Sequence, residues 1–240
     1  MPYQKSYKLG PTKTPFIIKL IVILTLTISV ISAILSPFLK TNFFQYFLSL
    51  SLPGIKSYFF WQLITYSFLQ PGYGIDFSFI ISLLFNLYLI WVMGSSVVEK
   101  TSQKHFFIFY LLSSIFSALI ILLTMLIGYQ NYLFSSSTIP LYAILIAWMM
   151  LMPSDTKIFL FFALPIKHYF LVLGLICLSL LSTLSSLDLV AFFGYLSVSI
   201  FAYFYSVVIF QRYSPFHALN RMERSLIFTT RIIINKFRKK

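Results

Sequence analysis

The sequence predicts an all-α membrane protein, a bundle of six transmembrane helices with both termini in the cytoplasm. Three observations carry that prediction. Of 240 residues, 59% are hydrophobic and only 10% are charged, with a mean hydropathy of +0.90, whereas soluble domains carry about 25% charged residues. Six stretches reach the roughly 20 mostly apolar residues needed to cross a hydrocarbon layer about 30 Å thick. Finally, one orientation of those stretches gathers almost all the bases on a single side.

Residues 1–15 form a basic N-terminal segment carrying Lys5, Lys8 and Lys13. The first span, 16–38, follows it as the apolar core of a signal peptide follows its charged start. Its apolar stretch is longer than such a core, and no small-residue cleavage site precedes Pro37, so the reading is a retained anchor. The connection 39–76 is rich in aromatics (Phe43, Phe44, Tyr46, Phe47, Tyr58, Phe59, Phe60, Trp61) and is expected to rest in the membrane interface. The remaining spans run over 77–98, 106–127, 132–152, 169–187 and 189–210. A seventh apolar patch, 158–164, is too short to cross and stops at Pro165. The domain division is thus a short basic segment, a membrane domain over 16–210 and a basic tail over 211–240.

Drawn at 100° per residue, the tail places Phe216, Leu219, Met222, Leu226, Ile233 and Ile234 on one helical face. His217, Arg221, Arg224 and Arg231 share the other, and Phe228 and Glu223 break the pattern. Such a helix would lie on the inner leaflet with its bases toward anionic headgroups. The same composition also suits a disordered basic tail.

Eighteen bases against five acids give a formal net charge of +13. Lys and Arg are retained on the cytoplasmic side of membranes, and six spans put both termini there together. Lys40 and Lys56 alone then fall outside, where Asp76 and Asp188 balance them, so the inner face carries the whole +13. Topology therefore accounts for a basicity that in a soluble chain would suggest nucleic acid, and the expected charged partner is an anionic inner leaflet. The single cysteine, Cys177, excludes an intrachain disulfide and a thiolate metal cluster. His105, His168 and His217 are far apart in the chain, with no acid cluster to join them. Neither a metal nor an organic cofactor is expected.

Polar side chains inside a membrane are costly and mark function by default. Ser82 and Asn86, four residues apart, share a face in the outer half of the second span. The fourth span opens with Ser135-Ser136-Ser137-Thr138 before Pro140, and the sixth opens with Asp188 and continues through Ala191, Phe192 and Gly194. All three lie at outer depth. A purely structural account is also open: Asn86 as an interhelical hydrogen bonder, the Ser/Thr run as a helix cap, Gly194 and Ser197 as points of close packing.

These residues, in this order, resemble the rhomboid family of intramembrane serine proteases over nearly all of 16–210. Trp61-Gln62-Leu63-Ile64-Thr65-Tyr66-Ser67-Phe68-Leu69-Gln70 is similar to the family's tryptophan–arginine, threonine–tyrosine stretch, and Asn86 takes the place of its second-span asparagine. Gly94 through Glu99 resembles the glycine-to-glutamate signature that closes that span. Ile158 through Lys167, followed by Leu171–Gly174, is similar to the connection into the fifth span. The resemblance implies a six-helix membrane fold and, with no seventh span, the basic bacterial form in an inner membrane.

At the catalytic positions the chain departs from the family. The Gly-X-Ser-Gly motif that opens the family's fourth span falls on Ser136-Ser137-Thr138-Ile139, so the nucleophile position is Thr138, or Ser137 with a one-residue slip. Phe192 stands where the family has its general-base histidine, Ser82 where it has an oxyanion-binding histidine, and Gln62 where it has a loop arginine. A hydroxyl is a weak nucleophile without a base within about 3 Å, and all three histidines fall on the cytoplasmic side. The expectation is a pseudoprotease that binds or regulates transmembrane segments of other membrane proteins. The alternative is an active serine protease in which Lys56, a water chain or Asp188 activates Ser137 or Thr138. A small transporter would call for paired intramembrane charges or broken helices in related halves, and between 77 and 152 the charges cluster at span ends.

Overall fold

The computed structural model describes residues 11, 13–39, 43–72, 74–128, 132–153, 156–160 and 164–238. The chain opens with α1 (Phe16–Leu39). Three short helices follow, α2 (Phe43–Leu48), α3 (Leu52–Lys56) and α4 (Gln62–Thr65), the last running into a 3-10 turn at Tyr66–Phe68. Then come α5 (Phe77–Lys100), α6 (Gln103–Ile127) and α7 (Thr138–Leu151). An antiparallel hairpin of β1 (Lys157–Leu160) and β2 (Leu164–Lys167) leads to α8 (His168–Ser185) and α9 (Leu189–Val208). A second 3-10 turn (His217–Leu219) precedes the tail helix α10 (Asn220–Arg238).

Five of these helices, α1, α5, α6, α8 and α9, are long and apolar enough to cross a membrane, and α7 is a shorter apolar one. Together they make the all-helical membrane bundle expected from the hydropathy. Local chemistry marks where three of the long helices begin. The side chains of Asp76, Ser102 and Asp188 accept the backbone N–H groups of Phe79 (2.6 Å), His105 (3.3 Å) and Ala191 (3.0 Å). Each satisfies an amide that has no partner inside its helix.

The fourth span differs from its sequence expectation of 132–152. Helix α7 has 14 residues, about 21 Å at 1.5 Å per residue, and residues 132–136 ahead of it are not helical. Pro140 gives one reason: in a helix begun at 132 it would be an interior proline, lacking an N–H and clashing with the preceding turn, at a cost of about 3 kcal/mol. In the first turn of α7 its missing N–H costs nothing. The other reason is competition. Leu50 and Phe134 exchange both backbone hydrogen bonds (2.8 and 2.9 Å), and Ser136 N–H donates to the Tyr66 carbonyl at 3.1 Å. Amides that would have opened a longer helix are thus taken by the loop between α1 and α5.

Every residue of α7 from Ile139 to Leu151 is buried, the signature of a helix apolar all round. It packs on α5, α6, α8 and α9. Close approach depends on two glycines. A Cβ on Gly94 of α5 would come within 2.8 Å of Ile18 Cδ1, and one on Gly194 of α9 within 3.1 Å of both Ile121 and Ile139 Cδ1. Small residues at such crossings let helices meet where no hydrophobic effect drives them together.

The connection 39–76 is folded rather than a plain interfacial strap. Gln62, fully buried, accepts from Ser51 N–H (3.2 Å) and donates through Nε2 to the Tyr46 carbonyl (2.7 Å), joining α2, α3 and α4. Thr65 Oγ1 donates to the Leu48 carbonyl and Tyr66 OH to the Ser114 carbonyl of α6, both at 2.8 Å. On its outer side Trp61 stacks on Phe59 with ring centroids 4.7 Å apart and donates to the Phe47 carbonyl. Of the apolar patch 158–164, too short to span, residues 158–160 lie in β1 and Leu164 opens β2, with Pro165 opposite Phe159, and residues 161–163 lie outside the described residues.

The tail corrects the drawn face. Glu223, which interrupts the sequence pattern, is fully buried, as is Ile227, one turn on, at 4% exposure, whereas Met222 and Phe228 are exposed. Tyr203 OH of α9 donates to Glu223 Oε1 at 2.6 Å and Ser214 N–H donates to Oε2 at 3.0 Å. A buried carboxylate is tolerated when its oxygens are hydrogen-bonded in this way, and it docks α10 on α9. Removing it in Glu223→Ala strands both donors and is expected to cost about 2 kcal/mol. Limited trypsin digestion in detergent should then cut beyond Arg212 at least severalfold faster than in the wild type; equal rates would show that docking does not depend on the carboxylate.

Candidate functional site

The sequence singles out Ser82, Asn86, Ser137, Thr138 and Phe192. The structure brings the first four into one hydrogen-bonded cluster and leaves the fifth outside it. Asn86, 4% exposed on α5, donates through Nδ2 to Ser137 Oγ at 2.7 Å and approaches Thr138 Oγ1 at 3.4 Å. Ser137 occupies the N-cap position of α7, yet its side chain caps nothing. Its hydroxyl instead donates to Gln70 Oε1 at 2.6 Å.

Gln70, which the sequence reading quoted only as the end of a resembling stretch, is the centre of the cluster. Its Oε1 accepts from Ser137 and, at 3.3 Å, from Asn86 Nδ2. Its Nε2 donates to Ser82 Oγ at 2.9 Å, and its backbone N–H donates to Ser29 Oγ of α1, also at 2.9 Å. Ser29 in turn donates to the Phe68 carbonyl at 3.1 Å. One residue of the first loop, through its side chain and its backbone N–H, thereby ties α1, α5 and α7 together. The available signal was that a glutamine ends an apolar loop just before a span, where a carboxamide needs partners from elsewhere.

The site is recessed. Asn86 lies ten residues into α5 counted from its cap Asp76, about 15 Å along the axis. The opposite end of α7 is held near the end of α5 by Lys100, whose Nζ donates to the Leu151 carbonyl at 2.9 Å. The shortness of α7 therefore places its first turn well below the level at which α5 begins.

Helix α9 faces the start of α7 with Tyr195, another residue the sequence reading did not single out. Its OH lies 3.5 Å from Ser136 Oγ, and its ring meets that of Tyr142 edge-on at 5.2 Å between centroids. The Tyr142 OH is hydrogen-bonded to Ser179 of α8 and to the Leu175 carbonyl at 3.2 Å. Phe192, half-buried, packs edge-on against Phe193 at 5.5 Å. Ile139, at the position where the resembling motif has its second glycine, is fully buried against Gly194. Gln62, in place of the loop arginine, holds the first loop together as described above.

Chemically, the partners of Ser137 Oγ are two carboxamides, those of Gln70 and Asn86. His168, fully buried at the start of α8, sits with both ring nitrogens 3.1 Å from backbone carbonyls, those of Thr156 and Met149. His105 Nδ1 pairs with Ser102 at 2.8 Å, at the start of α6. Both helix starts lie at the end of the bundle opposite the cluster. Asp188 caps α9 and accepts from Tyr132 OH at 2.9 Å. Among the described residues no group of three or more His, Cys, Asp or Glu side chains converges as a metal site would require.

A recessed polar cluster at the start of a short, wholly buried central helix, ringed by helices long and apolar enough to span, defines an integral multi-pass membrane protein. A rhomboid-domain family model matches residues 58–212, well over half of the chain, and the chain belongs to the rhomboid family. The match begins after α3 and ends just past α9, so of the stretch 16–210 over which the resemblance runs, α1, α2 and α3 lie outside it. A comparison with curated proteins finds no match.

Replacing Gln70 with Leu removes the acceptor of Ser137 and the donor to Ser82 while keeping the side-chain bulk. The expected loss is about 2–3 kcal/mol, since buried partners are left unpaired. It would appear as a lowered thermal midpoint in detergent, with Gln70→Glu less affected than Gln70→Leu; an unchanged midpoint for Gln70→Leu would remove the carboxamide from its structural role.

Proposed function

We propose that this rhomboid is a pseudoprotease: it binds or regulates transmembrane segments of other membrane proteins without cleaving them. The single observation that carries this reading is the destination of the Ser137 proton. General-base catalysis needs an acceptor whose affinity for a proton is matched to the operating pH. A carboxamide oxygen accepts a hydrogen bond and stays neutral, so the Gln70 contact orients the hydroxyl without activating it. Thr138 Oγ1 accepts from Asn86 Nδ2 at 3.4 Å, a contact that takes no proton from the hydroxyl, and Phe192 offers an apolar ring where a base would stand.

The two side chains that could serve as an unconventional base form no hydrogen bond to Ser137 or Thr138 among the described residues. The Asp188 carboxylate serves as a helix cap and as acceptor for Tyr132, and Lys56 is an exposed residue of α3. Asn86 retains the capacity to donate to an oxyanion, but one donor lowers only part of the barrier for acyl transfer.

Client binding fits the least enclosed part of the bundle. In α8 only His168 and Val172 are buried, so most of its surface is available to a neighbouring helix. The α5 to α8 side is the lateral approach to the recessed cluster. Such packing would rest on van der Waals contact and on small residues. The distribution of bases supports an inner-membrane setting with the basic end against the anionic leaflet.

The discriminating experiment is cleavage of a generic rhomboid transmembrane substrate by the purified protein in bilayers, with fluorophosphonate labelling of wild type, Ser137→Ala and Thr138→Ala. The expected result is no cleavage and no labelling of the wild type above either alanine variant, beside an active rhomboid control that gives both. Activity lost in one single mutant would identify a nucleophile and overturn the reading.

A further inference from the structure

At the end of the bundle opposite the polar cluster, a cavity of about 200 Å³ opens among the ends of four helices. Lys100 and Thr101 from the end of α5, His105 from the first turn of α6, Leu151 from the end of α7, and Ile209, Phe210 and Arg212 beyond α9 line it. No acidic residue is in the lining. Glu99, the neighbour of Lys100, is exposed and forms no ion pair among the described residues.

The donors there are only partly used. Lys100 Nζ gives one proton to the Leu151 carbonyl at 2.9 Å and another to Met152 Sδ at 3.2 Å, which leaves one of its three. His105 engages Ser102 through Nδ1, leaving Nε2. Arg212, fixed through its backbone N–H to the Ser206 carbonyl at 3.2 Å, has no side-chain hydrogen bond or ion pair among the described residues, so its five-donor fork is open. Three cationic or cationisable groups from three segments thus converge on a space with room for several waters, given about 30 Å³ per water. The positive pole of α6 adds to them.

We propose that this cavity is a binding site for a phosphate ester, either the headgroup of an anionic phospholipid or a soluble phosphorylated compound. Oxygens arrayed around a tetrahedral phosphorus can meet donors from several directions at once, as these are placed, and the arginine fork matches two of them. Leu151, Ile209 and Phe210 supply an apolar flank suited to the glycerol and first methylenes of a lipid. Basic pockets between the ends of spanning helices are where phospholipid headgroups bind specifically. The site is separate from the bases of α10 and independent of whether the Ser137 cluster is catalytic.

The test uses the full-length protein in phosphatidylcholine nanodiscs. One arm titrates phosphatidylglycerol and counts bound lipid by native mass spectrometry; the other titrates glycerol 3-phosphate by calorimetry. Saturable uptake of one equivalent is expected in at least one arm, and the responding arm identifies the source. Arg212→Gln should weaken that uptake about tenfold and Lys100→Gln with Arg212→Gln should abolish it. Arg221→Gln with Arg224→Gln, which removes equal charge from the tail, should leave it within twofold. Absence of saturable binding in both arms, wild-type affinity in Arg212→Gln, or an equal loss in the tail variant would each overturn the proposal. Because Lys100 also holds the end of α7, Arg212→Gln alone, checked by circular dichroism and its thermal midpoint, decides the matter if the double variant misfolds.

Discussion

Hydrocarbon offers no hydrogen-bond partners, so a backbone that leaves the helical conformation inside a membrane must find them within the protein. The non-helical approach to α7 is where this chain meets that constraint, and much of its architecture answers it. Leu50 and Tyr66 supply the missing partners for Phe134 and Ser136. To present them, the first loop has to be a folded object, pinned by Gln62, Thr65 and Tyr66 to its own turns and to α6. The loop thereby delivers Gln70 to the start of α7. A short central helix, a structured first loop and a recessed polar site are consequences of one requirement.

The side chains at that site pair chiefly with one another. Ser137 both donates and accepts, Gln70 uses its oxygen and its nitrogen, and Asn86 bridges α5 to α7. A hydrogen-bonded network of neutral groups in a low-dielectric interior rigidifies what it joins, and each bond in it strengthens its neighbours. Such an arrangement favours a fixed meeting point of three helices. A reactive hydroxyl needs the opposite, a partner that accepts its proton at the moment of reaction.

Much of this was legible in the residues. Long apolar runs announce their own helices, and the starts of α5 and α9 follow from Asp76 and Asp188, whose carboxylates suit the first amides of a helix. Asn86 and the serine run stand out because polar groups are costly at that depth. The fourth span was misjudged because hydropathy measures composition and is blind to backbone pairing: residues 132–137 are apolar and hydroxyl-bearing, and only Pro140 hints that no helix can start so early. Gln70 and Tyr195 escaped because their importance lies in what they touch, 67 residues away from Ser137 in the first case. Glu223 looked like a flaw in an amphipathic pattern, whereas burial of its carboxylate beneath Tyr203 makes it the anchor of the tail.

The bridge between Leu50 and Phe134 also bears on how the protein is made. Chains enter the membrane N-terminus first, and domains form as their segments emerge. The first loop is complete long before the segment that pairs with it, since α5 and α6 must be inserted in between. During that interval the exposed edge at Leu50, the free face of Tyr66 and the carboxamide of Gln70 are a socket without its insert, next to lipid. Closing so long a separation costs chain entropy before any contact repays it. Arrival of α7 is therefore the step that locks the early helices, and a chain interrupted before that point would present the translocation machinery with an unfinished and polar intermediate.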